Sequence, residues 1–107
     1  MPSARVRYFA VEVSRNHAQG MLGMCLQPTR EGLYVLQITP GSVMDMWNAR
    51  CRLTFPLAAV MRGDLIVRVN GLSPMWDTEL SFQAMIAELA SATEYLIVVG
   101  RLPLWEC

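Results

Sequence analysis

The stretch Val60-Met61-Arg62-Gly63-Asp64-Leu65-Ile66-Val67-Arg68-Val69-Asn70-Gly71 constrains this chain more than any other. Gly63-Asp64 opens it, the run from Leu65 to Val69 carries a single charge, and Asn70-Gly71 closes it. An apolar run rich in β-branched residues and bounded by turn formers predicts a buried strand. A strand punctuated on both sides is one whose position matters, and the surface it supports has to be sought elsewhere in the chain.

The chain has 107 residues, the size of one domain, and folding at this length buries roughly 60–70% of the unfolded surface. Hydrophobic residues make up 53% and charged residues 17%. That balance means either a full core or apolar surface reserved for a partner. Nine basic and nine acidic residues cancel, so no electrostatic case exists for nucleic acid or an acidic membrane surface. Every basic residue is arginine, which a GC-rich coding bias explains as well as any need for forked contacts.

The three cysteines, Cys25, Cys51 and Cys107, form no CxxC pair and are odd in number. They read as reduced thiols, which places the chain in a reducing compartment, the cytoplasm or the stroma or matrix side of an organelle. His17 is the one histidine, too few ligands for zinc, and no cofactor is expected. The apolar stretch Leu53 to Met61 is too short to span a bilayer and contains Pro56, and Glu12 and Arg15 interrupt any secretory signal.

Along the chain, Arg5 to Val13 alternates and reads as a strand. Asn16 to Gly20 is a polar turn. Met21-Leu22-Gly23-Met24-Cys25-Leu26 is an apolar run around a glycine, Thr29 to Gly32 is a turn, and Leu33 to Ile38 is a further strand. Pro40-Gly41-Ser42 breaks it, with Ser42 as N-cap of a short helix. Asn48 to Met61 shows no clear period. Asp77-Thr78-Glu79 starts a helix whose apolar positions Phe82, Met85, Ile86 and Leu89 share one face, and Tyr95 to Val99 is the last strand. The order β, β, β, short helix, β, helix, β predicts a compact α+β domain, a partly open β-barrel.

That order resembles a PDZ domain, with five or six strands and two α-helices. Four stretches carry the resemblance across nearly the whole chain. Gly20-Met21-Leu22-Gly23-Met24 is similar to the family's Gly-Leu-Gly-Phe loop. Gly32 to Ser42 is similar to its third strand and Pro-Gly-Ser turn. Arg62-Gly63-Asp64 to Asn70-Gly71 resembles the entry and exit of its buried scaffold strand, and the helix and final strand complete the set. The division implied is a tail at 1–4, a domain at 5–101 with an insertion at about 48–61, and a tail at 102–107.

The resemblance implies capture of a partner's C-terminal or extended peptide by β-strand addition. The amides of Leu22, Gly23 and Met24 would form a nest for the terminal carboxylate. Met24 to Gln27 would supply the strand edge, with Cys25 and Leu26 in the groove. Leu22, Met24 and Leu26 alternate onto one face and Cys25 onto the other. The facing helix contributes its first, fifth and eighth positions. A start at Ser81 gives Ser81, Met85 and Glu88. A start at Phe82 gives Phe82, Ile86 and Leu89, with Met85 in the core, and is preferred because every wall position is then apolar. Arg15 stands where relatives often carry a basic residue near the carboxylate, and an ordinary solvated arginine is the simpler expectation.

The connection from Pro40 to Gly63 runs about ten residues longer than the family's usual one. Its apolar residues, with those of the tail, make Trp47, Phe55, Trp76 and Trp105 a candidate partner surface. Three functions follow from different starting points. One is a non-enzymatic interaction module. Another is an accessory subunit of a larger assembly, an organellar membrane complex such as a photosynthetic one included, docked through insertion and tail with its groove unused. The third, a protease regulatory domain, is disfavoured because those domains are usually circularly permuted. No nucleophile–base pair is visible.

Many relatives carry a histidine at the first helix position that hydrogen-bonds a Ser or Thr two residues before the ligand's end. Phe82 or Ser81 stands there in this chain. The expected ligand therefore has an apolar residue at that position, and a peptide array dominated by Ser or Thr there would refute this.

Overall fold

Alternation decides how the sheet is built. In β1 (Arg7–Ser14), Val11 and Val13 turn inward and Ala10, Glu12 and Ser14 outward. The further elements are β2 (Met24–Pro28), β3 (Leu33–Ile38), α1 (Val43–Thr54), β4 (Leu65–Val69), α2 (Thr78–Ser91) and β5 (Glu94–Arg101), with a 3-10 turn at Pro56–Ala58. The computed structural model describes residues 6–15, 21–73 and 78–101, with only the backbone at 78–81. The strands form one antiparallel sheet in the order β1-β5-β4-β3-β2, open, with β1 and β2 at its edges. Val11, Leu33, Val35, Met44, Ile66, Val69, Met85, Ile97 and Val99 fill the core beneath it. None of the described helices is long and apolar enough to cross a membrane.

The central strand breaks strict alternation. The pairing of β4 with β5 shifts between Ile66 and Arg68, so Val67 is an extra residue. A bulge of one residue resets which face each later side chain takes. Ile66 and Val69 are thereby both buried, while Arg68 stays exposed. This is how a run with a charge in its middle serves as a core strand.

Both flanking pairs of β4 act through their polar side chains. Asp64 is only 2% exposed. Its carboxylate accepts from the Met61 amide at 2.7 Å and from the Arg101 guanidinium at 2.8 and 2.7 Å. Its backbone carbonyl accepts from Val35 N at 2.8 Å, and Gly63 N donates to Val35 O. Arg101 continues past Asp64 to the carbonyls of Leu57 and Ala59, on either side of Ala58 in the 3-10 turn. Arg7, its cross-strand neighbour, also reaches Leu57 O, and both guanidinium groups lie over the Phe9 ring, at 5.3 and 4.9 Å. The ring's negative face offsets two like charges set opposite each other.

At the far end, Asn70 takes a left-handed backbone, φ 48°, which asparagine tolerates better than most residues. Its side chain accepts from Leu96 N at 2.7 Å and donates to Glu94 O and to the Glu88 carboxylate of α2. Asn70 thus extends the β4–β5 ladder with side-chain atoms and ties the helix to it.

Ser42 caps α1 as expected, accepting from Asp45 N at 3.2 Å and donating to Thr39 O at 2.7 Å. The helix runs twelve residues, through half of the stretch 48–61 that shows no period. Its buried face is Val43, Met44, Asn48 and Cys51. A buried asparagine and outward apolar residues erase the hydrophobic signal. Asn48 is buried because it pairs twice with Val60, donating to its carbonyl and accepting from its amide, each at 2.8 Å. Burial also pushes the Cys51 thiol above its ordinary range, against a smaller opposing effect of Arg50.

Arg101→Met leaves the Asp64 carboxylate buried without its countercharge. Urea unfolding should show a loss at the lower end of roughly 3–5 kcal/mol, larger than the loss for Arg68→Met on the exposed face of the neighbouring strand.

Candidate functional site

The loop entering β2 is organised by where its carbonyls go. Met21 O and Leu22 O accept from Val43 N and Met44 N, in the first turn of α1, at 3.2 and 3.0 Å. Gly23 O accepts from Thr39 N at 2.9 Å. A trans peptide points its N–H opposite to the preceding C=O. Three carbonyls drawn toward α1 and Thr39 therefore turn the amides of Leu22, Gly23 and Met24 the other way. Among the described residues, the Leu22 and Gly23 amides have no hydrogen-bond acceptor.

Gly23 is required here on two counts. Its φ of +93° is left-handed, and a Cβ added to it would lie 2.0 Å from both Cβ and Oγ of Ser42. The cap of α1 and the turn of the loop occupy the same space, and only a residue without a side chain lets them meet.

β2 continues the loop as a sheet edge. Leu22 is buried, Met24 and Leu26 are half-buried, and Cys25 is exposed, so Cys25 faces away from the other three. The β2–β3 register shifts beside Cys25, making Leu36 an extra residue on β3. On α2, Met85 is fully buried, Phe82 and Leu89 are 8% exposed, and Ile86 is 45% exposed. Leu22, Phe82 and Leu89 belong to one core cluster, and Met24 and Leu26 pack against it. Of the three apolar residues assigned to the helix wall, only Ile86 stands open to solvent.

The C-terminal end of α2 is clamped to the sheet. The Tyr95 hydroxyl lies 2.6 Å from Leu89 O and 2.7 Å from Ala92 O. Burial raises the Tyr95 pKa, with Arg15 opposing and Glu88 adding to the shift. Arg15 donates to Ala90 O and Ala92 O at 2.9 and 3.1 Å. It is neither a solvated side chain nor directed at the loop; it holds the negative end of the helix dipole. Sequence reading missed this role because it depends on a contact across 75 residues.

Of the proposed partner surface, Trp47 is half-buried and its indole N–H donates to Ala58 O at 3.0 Å, so it braces the 3-10 turn. Phe55 is 74% exposed. Trp76 and Trp105 lie outside the described residues.

No family model matches the sequence, and no curated protein does. Solved structures do match. The fifth PDZ domain of InaD shares 21% identity over 91% of this chain and 98% of its own, with a TM-score of 0.61. The MUPP1 PDZ4 structure shares 14% identity over 92% of this chain and 79% of its own, with a TM-score of 0.65. The INAD PDZ45 structure in complex with NORPA CC-PBM shares 22% identity over 91% of this chain, with a TM-score of 0.61, and this chain spans 43% of its length. The fold is that of a PDZ domain.

Gly23→Ala should cost roughly 3 kcal/mol or more in thermal or urea unfolding, since both the backbone conformation and the Ser42 contact oppose a methyl group. Gly41→Ala, with open space around its Cβ position, should cost less.

Proposed function

We propose that this chain is a non-enzymatic protein–protein interaction module. It takes a partner's C-terminal or extended segment as an added strand between β2 and α2, with an apolar residue at the ligand's end. The observation that carries this reading is the polarity of the loop. Among the described residues the Leu22 and Gly23 amides have no acceptor; they face away from α1, directly before a strand edge, and amides so placed at the head of an open edge suit a terminal carboxylate. Half-buried Met24 and Leu26 on one side and exposed Ile86 on the other offer apolar contact for the ligand's side chains. Met85 lies in the core, as the register starting at Phe82 requires, while Phe82 and Leu89 are also buried and Ile86 alone of that register is exposed. The complexes with NORPA CC-PBM, the NG2 peptide and the dmPar6 PBM formed by INAD PDZ45 and dmPar3 PDZ1 agree with a peptide as the kind of ligand. A reducing compartment fits the free thiols of Cys25 and Cys51.

A second reading has one observation in its favour. Leu53 and Phe55, just before the 3-10 turn, and Leu57, within it, are all exposed, as a subunit docked in a larger assembly through this stretch would require.

The test is a titration of the isotope-labelled chain with peptides ending in an apolar residue, read by amide shifts. Leu22, Gly23, Met24 and Leu26 should shift, and C-terminal amidation should abolish the effect. Ile86→Ser should weaken binding about tenfold, or ~1.4 kcal/mol, with little change in melting temperature. Equal binding of amidated and free-acid peptides would exclude carboxylate capture.

A further inference from the structure

The sheet has two edges, and the groove beside β2 uses one of them. The other edge is β1. β1 runs eight residues, contains no proline and pairs with β5 without a register shift. β2 is five residues long, ends at Pro28 and carries an irregularity beside Cys25. A long, flat edge without proline or bulge is a template for a further strand.

The pairing shows which groups of β1 are open. Arg15 N donates to Thr93 O at 2.7 Å, one step beyond the Ser14–Glu94 pair. In an antiparallel ladder every second pair exchanges backbone hydrogen bonds. Arg7, Phe9, Val11 and Val13 therefore bond to β5, while Tyr8, Ala10, Glu12 and Ser14 turn their N–H and C=O groups to the open edge. None of these four has another hydrogen-bond partner among the described residues, and all four are exposed.

This edge looks onto α1. One hollow, of about 500 Å³, lies between Ala10 and Trp47, Cys51, Leu53 and Phe55, among others. Another, of about 560 Å³, lies between Glu12–Ser14 and the Val43–Ala49 side of the helix. Arg50 lines both. Its guanidinium is exposed and has no carboxylate partner among the described residues. Arg7, at the same end through its bond to Leu57 O, has none either. Asp64, the carboxylate at that end, is already held by Arg101. The Phe55 end of the gap thus sets uncompensated positive charge beside Leu53 and Phe55, which are 88% and 74% exposed. An apolar wall with an unpaired cation suits an apolar segment that carries a carboxylate.

We propose that β1 is a second strand-accepting edge. It takes an extended segment of a protein partner in the gap beside α1, with an acidic side chain of that segment at Arg50 and apolar ones against Leu53 and Phe55. This site needs no chain end and is separate from carboxylate capture beside β2. A second copy fits it less well. Its β1 stands beside its own α1, so pairing two β1 edges would bring a helix about 10 Å across toward a gap where one added strand needs about 5 Å.

The test uses an acetylated, C-terminally amidated peptide that alternates valine with serine and carries one glutamate, titrated into the isotope-labelled chain. The amides of Tyr8, Ala10, Glu12 and Ser14 should shift, and exchange at Ala10 and Glu12, fast in the free chain, should slow at least about tenfold. N-methylating the alternate peptide residues whose amides face β1 should abolish binding, and N-methylating the other set should not. Arg50→Glu changes only an exposed side chain. It should weaken binding about tenfold, and arginine in place of the peptide's glutamate should restore it. No shift at β1 up to about 1 mM peptide, shifts confined to Leu22–Leu26, or equal binding of the two methylated peptides overturns the proposal. So does slow exchange of these amides in the free chain, which would mean that the edge is already covered, by the chain itself or by a second copy.

Discussion

The buried pair between Asp64 and Arg101 is the constraint on which the rest depends. An ion pair removed from water repays its desolvation only when its remaining hydrogen-bonding capacity is filled. Here the carboxylate takes a backbone amide as well as the guanidinium fork, and the guanidinium takes two carbonyls as well as the carboxylate. The start of β4, the end of β5 and the 3-10 turn are thereby held as one unit. The adjacent Asp64 and Gly63 backbones bind Val35 in both directions and carry the constraint into β3. Phe9 beneath two arginines completes that end of the sheet.

The opposite end of the same strand holds α2. Asn70 bridges β4, β5 and Glu88 of α2, while Tyr95 and Arg15 hold the last carbonyls of that helix. α2 therefore stands at a set position relative to the sheet. The other wall is set by α1, whose first amides draw the carbonyls of the loop and turn its own amides outward. One strand with a stapled residue at each end thus organises both the Asp64–Arg101 end of the sheet and the end packed against α2.

Much of this was legible in the residues. Leu33–Ile38 and Leu65–Val69 occupy the stretches that their β-rich composition predicts, and α2 follows its apolar period. Ser42 caps a helix, as a serine after Pro-Gly does. The stretch 48–61 was opaque because its pattern is inverted. Asn48 is inside, satisfied by Val60, and Leu53, Phe55 and Leu57 are outside. Hydrophobic periodicity cannot see a polar side chain whose partner lies twelve residues away. Arg15 was misjudged for the same reason, since the carbonyls it binds come from the other end of the chain.

The sequence by itself determined the order of elements, the placement of Gly23 between two apolar residues, and the turn pairs around β4, because each is a matter of local period or local backbone preference. Only the tertiary structure decided what those residues are for. Asp64 closes the turn at Met61 and is also a buried counterion, Asn70 is a clamp on α2, and Gly23 is the space that Ser42 needs. Each of these roles depends on an atom brought near by folding, and the distance between two atoms far apart in the chain is a property of the packed whole.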